Sequence, residues 1–207
     1  MTDSYLYRPE AYTAMPWKNG CGSTLEIARQ RCIDDSGYDW RLSLAQIDVD
    51  GPFSVFPGYS RVITVLHGDG MVLQINGVDS EALGPLQPLS FDGGATVQCR
   101  LLGSPIEDFN LIYRPDRINA SLRWVDCHPA VVLGSKATQV VFFNASVGIV
   151  NVTHASSGQR HEMVPRATLR CTNVGGQLQR YSLEGAMAQV CVVELDRVDR
   201  SPCEPDA

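Results

Sequence analysis

The sequence predicts an all-β protein made of two small barrels packed together. Three observations carry this expectation. Short runs of alternating or continuous apolar residues recur along the chain, turn residues separate them at regular intervals, and helical periodicity of useful length is absent. Strands of this length and spacing belong to sandwiches and barrels.

Taken in order, residues 10–14 allow at most one helical turn, and residues 24–27 alternate so that Thr24 and Glu26 share one strand face. Residues 41–47 alternate polar and apolar, as in a half-buried strand. Residues 62–66 and 71–75 are β-rich and flank His67-Gly68-Asp69-Gly70, a combination that reads as a hairpin. Residues 88–91, 96–102 and 108–113 extend the series, with Gly93-Gly94 and Gly103-Ser104-Pro105 as turns. In the second half, residues 139–143 and 147–152 meet across Asn144-Ala145-Ser146, and strands at 162–164, 167–172, 178–183 and 188–195 follow. The two sets join near residues 114–124. This places a first barrel over residues 1–115 and a second barrel, with a frayed polar tail after Val198, over residues 116–207.

A chain of 207 residues with 44% apolar content can bury cores of that size. The formal net charge is -6 and no run of Lys or Arg occurs, so neither nucleic acid nor an anionic membrane is expected as a partner. No stretch approaches the roughly 20 apolar residues that span a bilayer. The opening Met1-Thr2-Asp3-Ser4-Tyr5 lacks the features of a signal peptide. A soluble cytoplasmic protein is therefore expected. Seven cysteines, at 21, 32, 99, 127, 171, 191 and 203, form no Cys-x-x-Cys, which fits reduced and mostly buried thiols better than disulfides or zinc.

The first half holds most of the unusual polar groups. Trp17-Lys18-Asn19-Gly20-Cys21-Gly22-Ser23-Thr24-Leu25-Glu26-Ile27 combines a cation, an amide, glycines, hydroxyls and a carboxylate. Glycine lets backbone approach another group closely, while Lys18 and Asn19 supply donors for an anion or an amide. The same residues also suit a plain surface turn with a solvated lysine. In Asp39-Trp40-Arg41-Leu42-Ser43, Arg41 and Ser43 share one strand face, and Trp40 and Leu42 the other. Arg41 there can fork onto a carboxylate or lie solvated on an edge. Residues 51–61 form an aromatic loop punctuated by Gly and Pro, either a pocket wall or a barrel cover, ending at Arg61. Asp108-Phe109-Asn110 sets a carboxylate and an amide on one face of an apolar strand, where each needs a partner. His154 and His161 can oppose each other across Ser156-Ser157-Gly158, although surface positions suit them as well. With His67 and His128 they form no His-x-His or His-Glu-x-x-His pattern, and no nucleophile elbow, phosphate loop or dinucleotide fingerprint occurs.

Several of these segments together resemble the HutD/Ves family. They are Met-Pro-Trp-Lys-Asn-Gly-x-Gly-x-Thr-x-Glu-Ile from Met15, Trp-Arg-x-Ser-x-Ala from Trp40, and Gly-Pro-Phe-Ser-x-Phe-Pro-Gly from Gly51. Arg61-Val62, Leu66-x-Gly68 and Asp108-Phe109-Asn110-Leu111 belong to the same set. The motifs run in order over about the first 115 residues, and the rest matches mainly in length and strand content. The resemblance implies a bicupin, two cupin-type β-barrels from one chain, associated with bacterial histidine utilisation and, in the Ves branch, with stress-related genes. It implies a regulatory role involving formylglutamate and brings no established enzymatic activity. Many cupins hold a metal through first-barrel histidines. That pattern is missing here, so neither metal nor cofactor is expected. Cys21 stands where the family more usually has glycine, a departure that can tune loop flexibility or redox sensitivity.

Residues and resemblance lead to a non-catalytic protein that binds a small acidic metabolite, such as formylglutamate, to sense or regulate histidine degradation. In this reading Lys18 and Arg41, helped by Arg61, contact carboxylate, and Asn19 and Asn110 read amide or formyl groups. Glu26 orients Lys18 or accepts a ligand N–H, and Trp17, Trp40 and Phe53 supply apolar walls. No catalytic residue is assigned. One alternative is a metal-free cupin-type isomerase, lyase or hydrolase, with Glu26 as base and Lys18 as electrophilic stabiliser. Another is a structural partner protein whose second barrel is an interaction surface. A homodimer is compatible with each.

Overall fold

The computed structural model describes residues 3–17, 22–32, 37–173, 176–186 and 188–198. Its regular structure there is β-strand apart from one 3-10 turn at Pro9–Ala11. Proline suits the first position of such a turn because its φ is already set. The Tyr12 amide bonds back to the Pro9 carbonyl at 3.2 Å, and Tyr12 itself is extended. The turn therefore ends earlier than the expected 10–14 span, and Thr13–Pro16 is strand.

The strands of the first half are β1 (Asp3–Tyr7), β2 (Thr13–Pro16), β3 (Gly22–Arg31), β4 (Tyr38–Ile47), β5 (Gly51–Pro52), β6 (Ser60–His67), β7 (Met71–Ile75), β8 (Val78–Asp79), β9 (Leu89–Asp92), β10 (Val97–Leu101) and β11 (Ile106–Tyr113). Those of the second half are β12 (Ile118–Asp126), β13 (Val131–Ser135), β14 (Gln139–Asn144), β15 (Val150–His154), β16 (Arg160–Met163), β17 (Thr168–Thr172), β18 (Gln179–Glu184) and β19 (Gln189–Arg197). In the first barrel, a six-stranded sheet ordered β2-β3-β4-β11-β6-β9 packs on a four-stranded sheet ordered β5-β10-β7-β8. The second barrel packs a five-stranded sheet, β1-β17-β14-β19-β12, on a four-stranded one, β13-β18-β15-β16. This is the bicupin arrangement that the motifs led one to expect. One strand crosses over: β1 pairs with β17, from Asp3 opposite Thr172 to Tyr7 opposite Thr168. The division at residue 115 thus separates the sheets only from β2 onward.

The hairpin around Ser156-Ser157-Gly158 forms, β15 pairing with β16, but those expected at residues 62–75 and 139–152 do not. β6 pairs with β11 and β9, whereas β7 pairs with β10 and β8, so residues 68–70 carry the chain from one sheet to the other. Gly68 and Gly70 have φ of +100° and +105°, and a Cβ would sit 2.5 Å from the Pro105 carbonyl and 2.4 Å from the Leu83 carbonyl, respectively. The glycines serve a close crossing of backbones at a barrel corner. The same correction applies to β14 and β15, which lie in different sheets. Asn144 holds that corner, its Nδ2 donating to the Gly148 and Met163 carbonyls at 2.8 and 2.9 Å.

Strand alternation gives the chain three apolar cores. Trp40, Leu42, Leu44, Phe109 and Leu111 of the six-stranded sheet pack against Val141, Phe143, Cys191 and Val193 of the five-stranded sheet, forming the seam between barrels. The first barrel's own interior holds Ile63, Val65, Leu73, Val97 and Ile106, and the second barrel's holds Phe142, Leu169, Tyr181 and Leu183. Cys32, Cys99, Cys127, Cys171 and Cys191 are buried and unbridged, while Cys21 and Cys203 lie outside the described residues. Among the described residues no helix is long and apolar enough to cross a membrane.

Candidate functional site

Three adjacent strands of the first barrel, β4, β11 and β6, turn polar residues inward. Their antiparallel register aligns Arg41, Ile112 and Arg61 in one row across the sheet. The next row is Ser43, Asn110 and Ile63, and the one below it is Ala45, Asp108 and Val65. Adjacent strands lie about 4.8 Å apart, so the two arginine backbones are about 10 Å apart on the same inner face. Below these rows the barrel becomes wholly apolar at Ile47 and Ile106. The result is a cavity of about 710 Å³ lined by these polar rows and walled by Trp17, Phe53, Phe56 and Ile112.

The two arginines are held differently. Arg61 is 6% exposed, and it donates from Nη1 to the Ser54 carbonyl at 3.3 Å and from Nη2 to Asn110 Oδ1 at 3.0 Å. Its guanidinium carbon lies 5.2, 5.4 and 5.1 Å from the ring centres of Phe53, Phe56 and Phe91. Burial lowers its pKa to about 10, opposed by the nearby Asp108 carboxylate and reinforced by Arg41. Arg41 makes no hydrogen bond among the described residues; its guanidinium rests over Tyr38 and Phe56, at 5.4 and 5.5 Å. Phe56 thus offers its π-face to both cations and offsets part of their mutual repulsion.

Asp108 completes the polar set. Its Oδ1 accepts a hydrogen bond from Asn110 Nδ2, so Asp108, Asn110 and Arg61 form a chain. Burial pushes the carboxyl up to about 7, against the pull of Arg61 and of the Asn110 amide. Among the described residues, four buried side-chain atoms hereabouts lack a hydrogen-bond partner: Arg41 Nε, Arg61 Nε, Tyr38 Oη and Glu26 Oε2. Burial raises the pKa of Tyr38, with Arg41, Tyr59, Arg61 and Glu26 as its charged or titratable neighbours. A buried polar atom left unpaired costs about 1–3 kcal/mol. Of these atoms, the arginine Nε groups belong to cavity-lining residues, and a ligand acceptor that pairs them would relieve that cost.

Of the residues expected at the site, Trp17, Arg41, Phe53, Arg61 and Asn110 line this one cavity. Trp17 is oriented by its Nε1, which donates to Thr24 Oγ1 at 2.8 Å. Lys18 and Asn19 lie outside the described residues. Glu26 stands opposite Ser43 but does not line the cavity, and its Oε1 pairs with Arg29 at 3.3 Å. A register shift after Glu26 breaks the alternation of β3 and makes that pairing possible. Trp40 requires correction as a wall residue. It is fully buried in the seam between barrels, on the face opposite Arg41, and its Nε1 donates to Gln30 Oε1 at 3.3 Å. Asp108, Ser43 and Phe56 line the cavity too; Phe56 belongs to the 51–61 loop expected as a pocket wall or barrel cover, whereas Asp108 and Ser43 had been placed on strand faces without a binding role. Asp108 shares a face with Asn110 by simple alternation, so the sequence did carry its signal.

The second-barrel histidines do not meet. His154 has Nδ1 2.8 Å from Ser157 Oγ and Nε2 2.8 Å from Gln179 Oε1, while His161 Nε2 is 3.0 Å from Ser4 Oγ. Among the described residues no group of three or more His, Cys, Asp or Glu is placed to hold a metal ion.

Comparison with known proteins agrees with the motifs and the fold. A 21.2 kDa protein of Pseudomonas putida, described as uncharacterized and located in the hutC 3′ region, is 41% identical over 196 residues, 94% of this chain and 98% of that protein. Protein Ves of Citrobacter koseri is 38% identical over 113 residues, 53% of this chain and 58% of its own length. The structure of HutD from Pseudomonas fluorescens SBW25, in a formate condition, superposes with a TM-score of 0.82 at 39% identity, covering 95% of this chain and all of that one (100%). The HutD family model matches residues 9–189, and the chain belongs to the HutD family.

Proposed function

We propose that the chain is a cytoplasmic binding protein that takes a small acidic metabolite into the first-barrel cavity and so senses or regulates histidine degradation. The observation that carries this reading is the row of two guanidiniums in an apolar-walled cavity, one fixed by hydrogen bonds and the other, Arg41, without any among the described residues. A volume of about 710 Å³ falls in the range of small-molecule sites. Formylglutamate carries two carboxylates and one amide. It would place its carboxylates at Arg41 and Arg61 and its amide at Asn110. The link to histidine degradation draws on the family and on the hutC-region location of the P. putida relative.

Thermal shift against a panel of histidine-pathway metabolites tests the reading. Formylglutamate at about a hundred times its dissociation constant should raise the melting temperature by roughly 5–10 °C. The Arg41→Met variant should lose most of that shift while still melting cooperatively. A melting temperature unmoved by formylglutamate and its relatives at millimolar concentration rules the assignment out.

A further inference from the structure

We propose that Asp108 is a specificity-determining residue of this cavity: it takes up a proton as a small carboxylate enters, and donates the resulting O–H to that ligand. The inference rests on the first-barrel cavity being the ligand site.

Asp108 lines the cavity one row below Asn110 and is 1% exposed. Among the described residues it makes no ion pair. The charged and titratable groups around it come from every neighbouring element. From β6 comes Arg61, which reaches it through Asn110, and from β4 comes Arg41, two rows above. Cys99 of β10 senses its charge and stays a neutral thiol, pushed up to about 12 by burial, Asp108 and Asp50. On its own strand, Glu107 raises its pKa slightly but is held by Arg166. Tyr38 and Glu26 stand farther out, beside Arg41.

With its pKa raised by burial to about 7, the carboxyl is poised to gain a proton when its surroundings become more negative. A ligand carboxylate seated on the guanidiniums spends their positive charge and adds a like charge beside Asp108. Both effects favour the neutral acid. One proton from solvent then bonds to the Asp108 carboxylate, and no other bond is made or broken. The neutral acid offers an O–H donor to the ligand oxygen, a charge-assisted pairing among the stronger hydrogen bonds. The site would therefore prefer ligands that present an anionic acceptor to Asp108 over ligands that present an N–H or ammonium to it.

Calorimetric titration of the whole protein with N-formylglutamate, in buffers of different ionisation heat, reads the proton directly. Above about pH 6 the ligand's carboxyls are ionised, so any proton taken up belongs to the protein. The expected result is uptake approaching one proton near about pH 8, with affinity falling by up to about tenfold per pH unit above about pH 7. The variant Asp108→Asn should show no uptake and a flat profile, with affinity close to that of the unaltered protein at about pH 6. Should that variant not fold, the proton count on the unaltered protein still decides. Binding without proton uptake, affinity that rises with pH, or a variant that keeps the original slope overturns the role of Asp108 and leaves the cavity reading standing. No binding of N-formylglutamate or glutarate at any pH overturns both.

Discussion

In the second barrel the Tyr181 hydroxyl donates to Asn173 Oδ1 at 2.7 Å, and the Asn173 amide donates to the Ala137 carbonyl at 2.8 Å. In the first barrel, buried side-chain atoms are left open: among the described residues Nε of Arg41 and of Arg61 finds no acceptor, and the Arg41 guanidinium makes no hydrogen bond. Both interiors come from short antiparallel strands with alternating faces, so fold alone does not separate them. The difference is in whether a buried polar group is satisfied. A satisfied group specifies and stabilises a packed interior, whereas an unsatisfied one lowers stability and holds a place for something else. Functional sites are where such departures from internal consistency are expected. By that criterion the open polar groups mark the first-barrel cavity as the place where the proposed ligand would bind.

The strongest way to break this division is to truncate the second barrel's core. Phe142 is fully buried, with its ring centre 5.2 Å from that of Tyr181. Phe142→Ala should cost about 3–5 kcal/mol in urea unfolding, with ligand affinity of the folded protein unchanged. A loss below about 1 kcal/mol would mean that the interior relaxes into the space and is not closely packed. A paired comparison comes next in size. Tyr181→Phe leaves Asn173 Oδ1 unpaired and should cost about 1–3 kcal/mol, whereas Arg41→Met removes an unpaired buried donor and should be neutral or slightly stabilising without ligand. Equal destabilisation by the two variants would erase the distinction between the barrels.

How much of this was legible in the sequence depends on whether the feature is local. Alternation along residues 41–47 already set Arg41 and Ser43 against Trp40, so Trp40 as a cavity wall contradicted the strand's own period. Asp108 was likewise readable beside Asn110. The corners at Gly68 and Gly70 were not, because a hairpin and a sheet-to-sheet crossing use the same turn residues, and only the nearby Pro105 and Leu83 carbonyls distinguish them. Nor does any local pattern reveal that β1 pairs with β17, or that Arg41 and Arg61 share a row. Cross-strand register is a property of the assembled sheet. The register shift after Glu26, which turns that carboxylate toward Arg29, is equally silent in sequence.

The smallest effect concerns the join between the barrels, and it tests whether the second is only a support. Arg166, between β16 and β17, forks onto Glu107 with both nitrogen–oxygen distances at 2.7 Å. Its carbonyl accepts the Tyr12 hydroxyl, so the fork is anchored at its base. Glu107 directly precedes Asp108, at the point where β11 shifts register against β6. Because the arginine side chain is about a third exposed (36%), solvent and salt screen the pair. Arg166→Ala should therefore cost about 1 kcal/mol or less, and less still in high salt. If the barrels act independently, formylglutamate affinity should change by less than about twofold, since the fork lies across the sheet from the cavity. A tenfold change in affinity with so small a change in stability would show that the second barrel sets the position of Asp108. The receptor would then be a property of both barrels together.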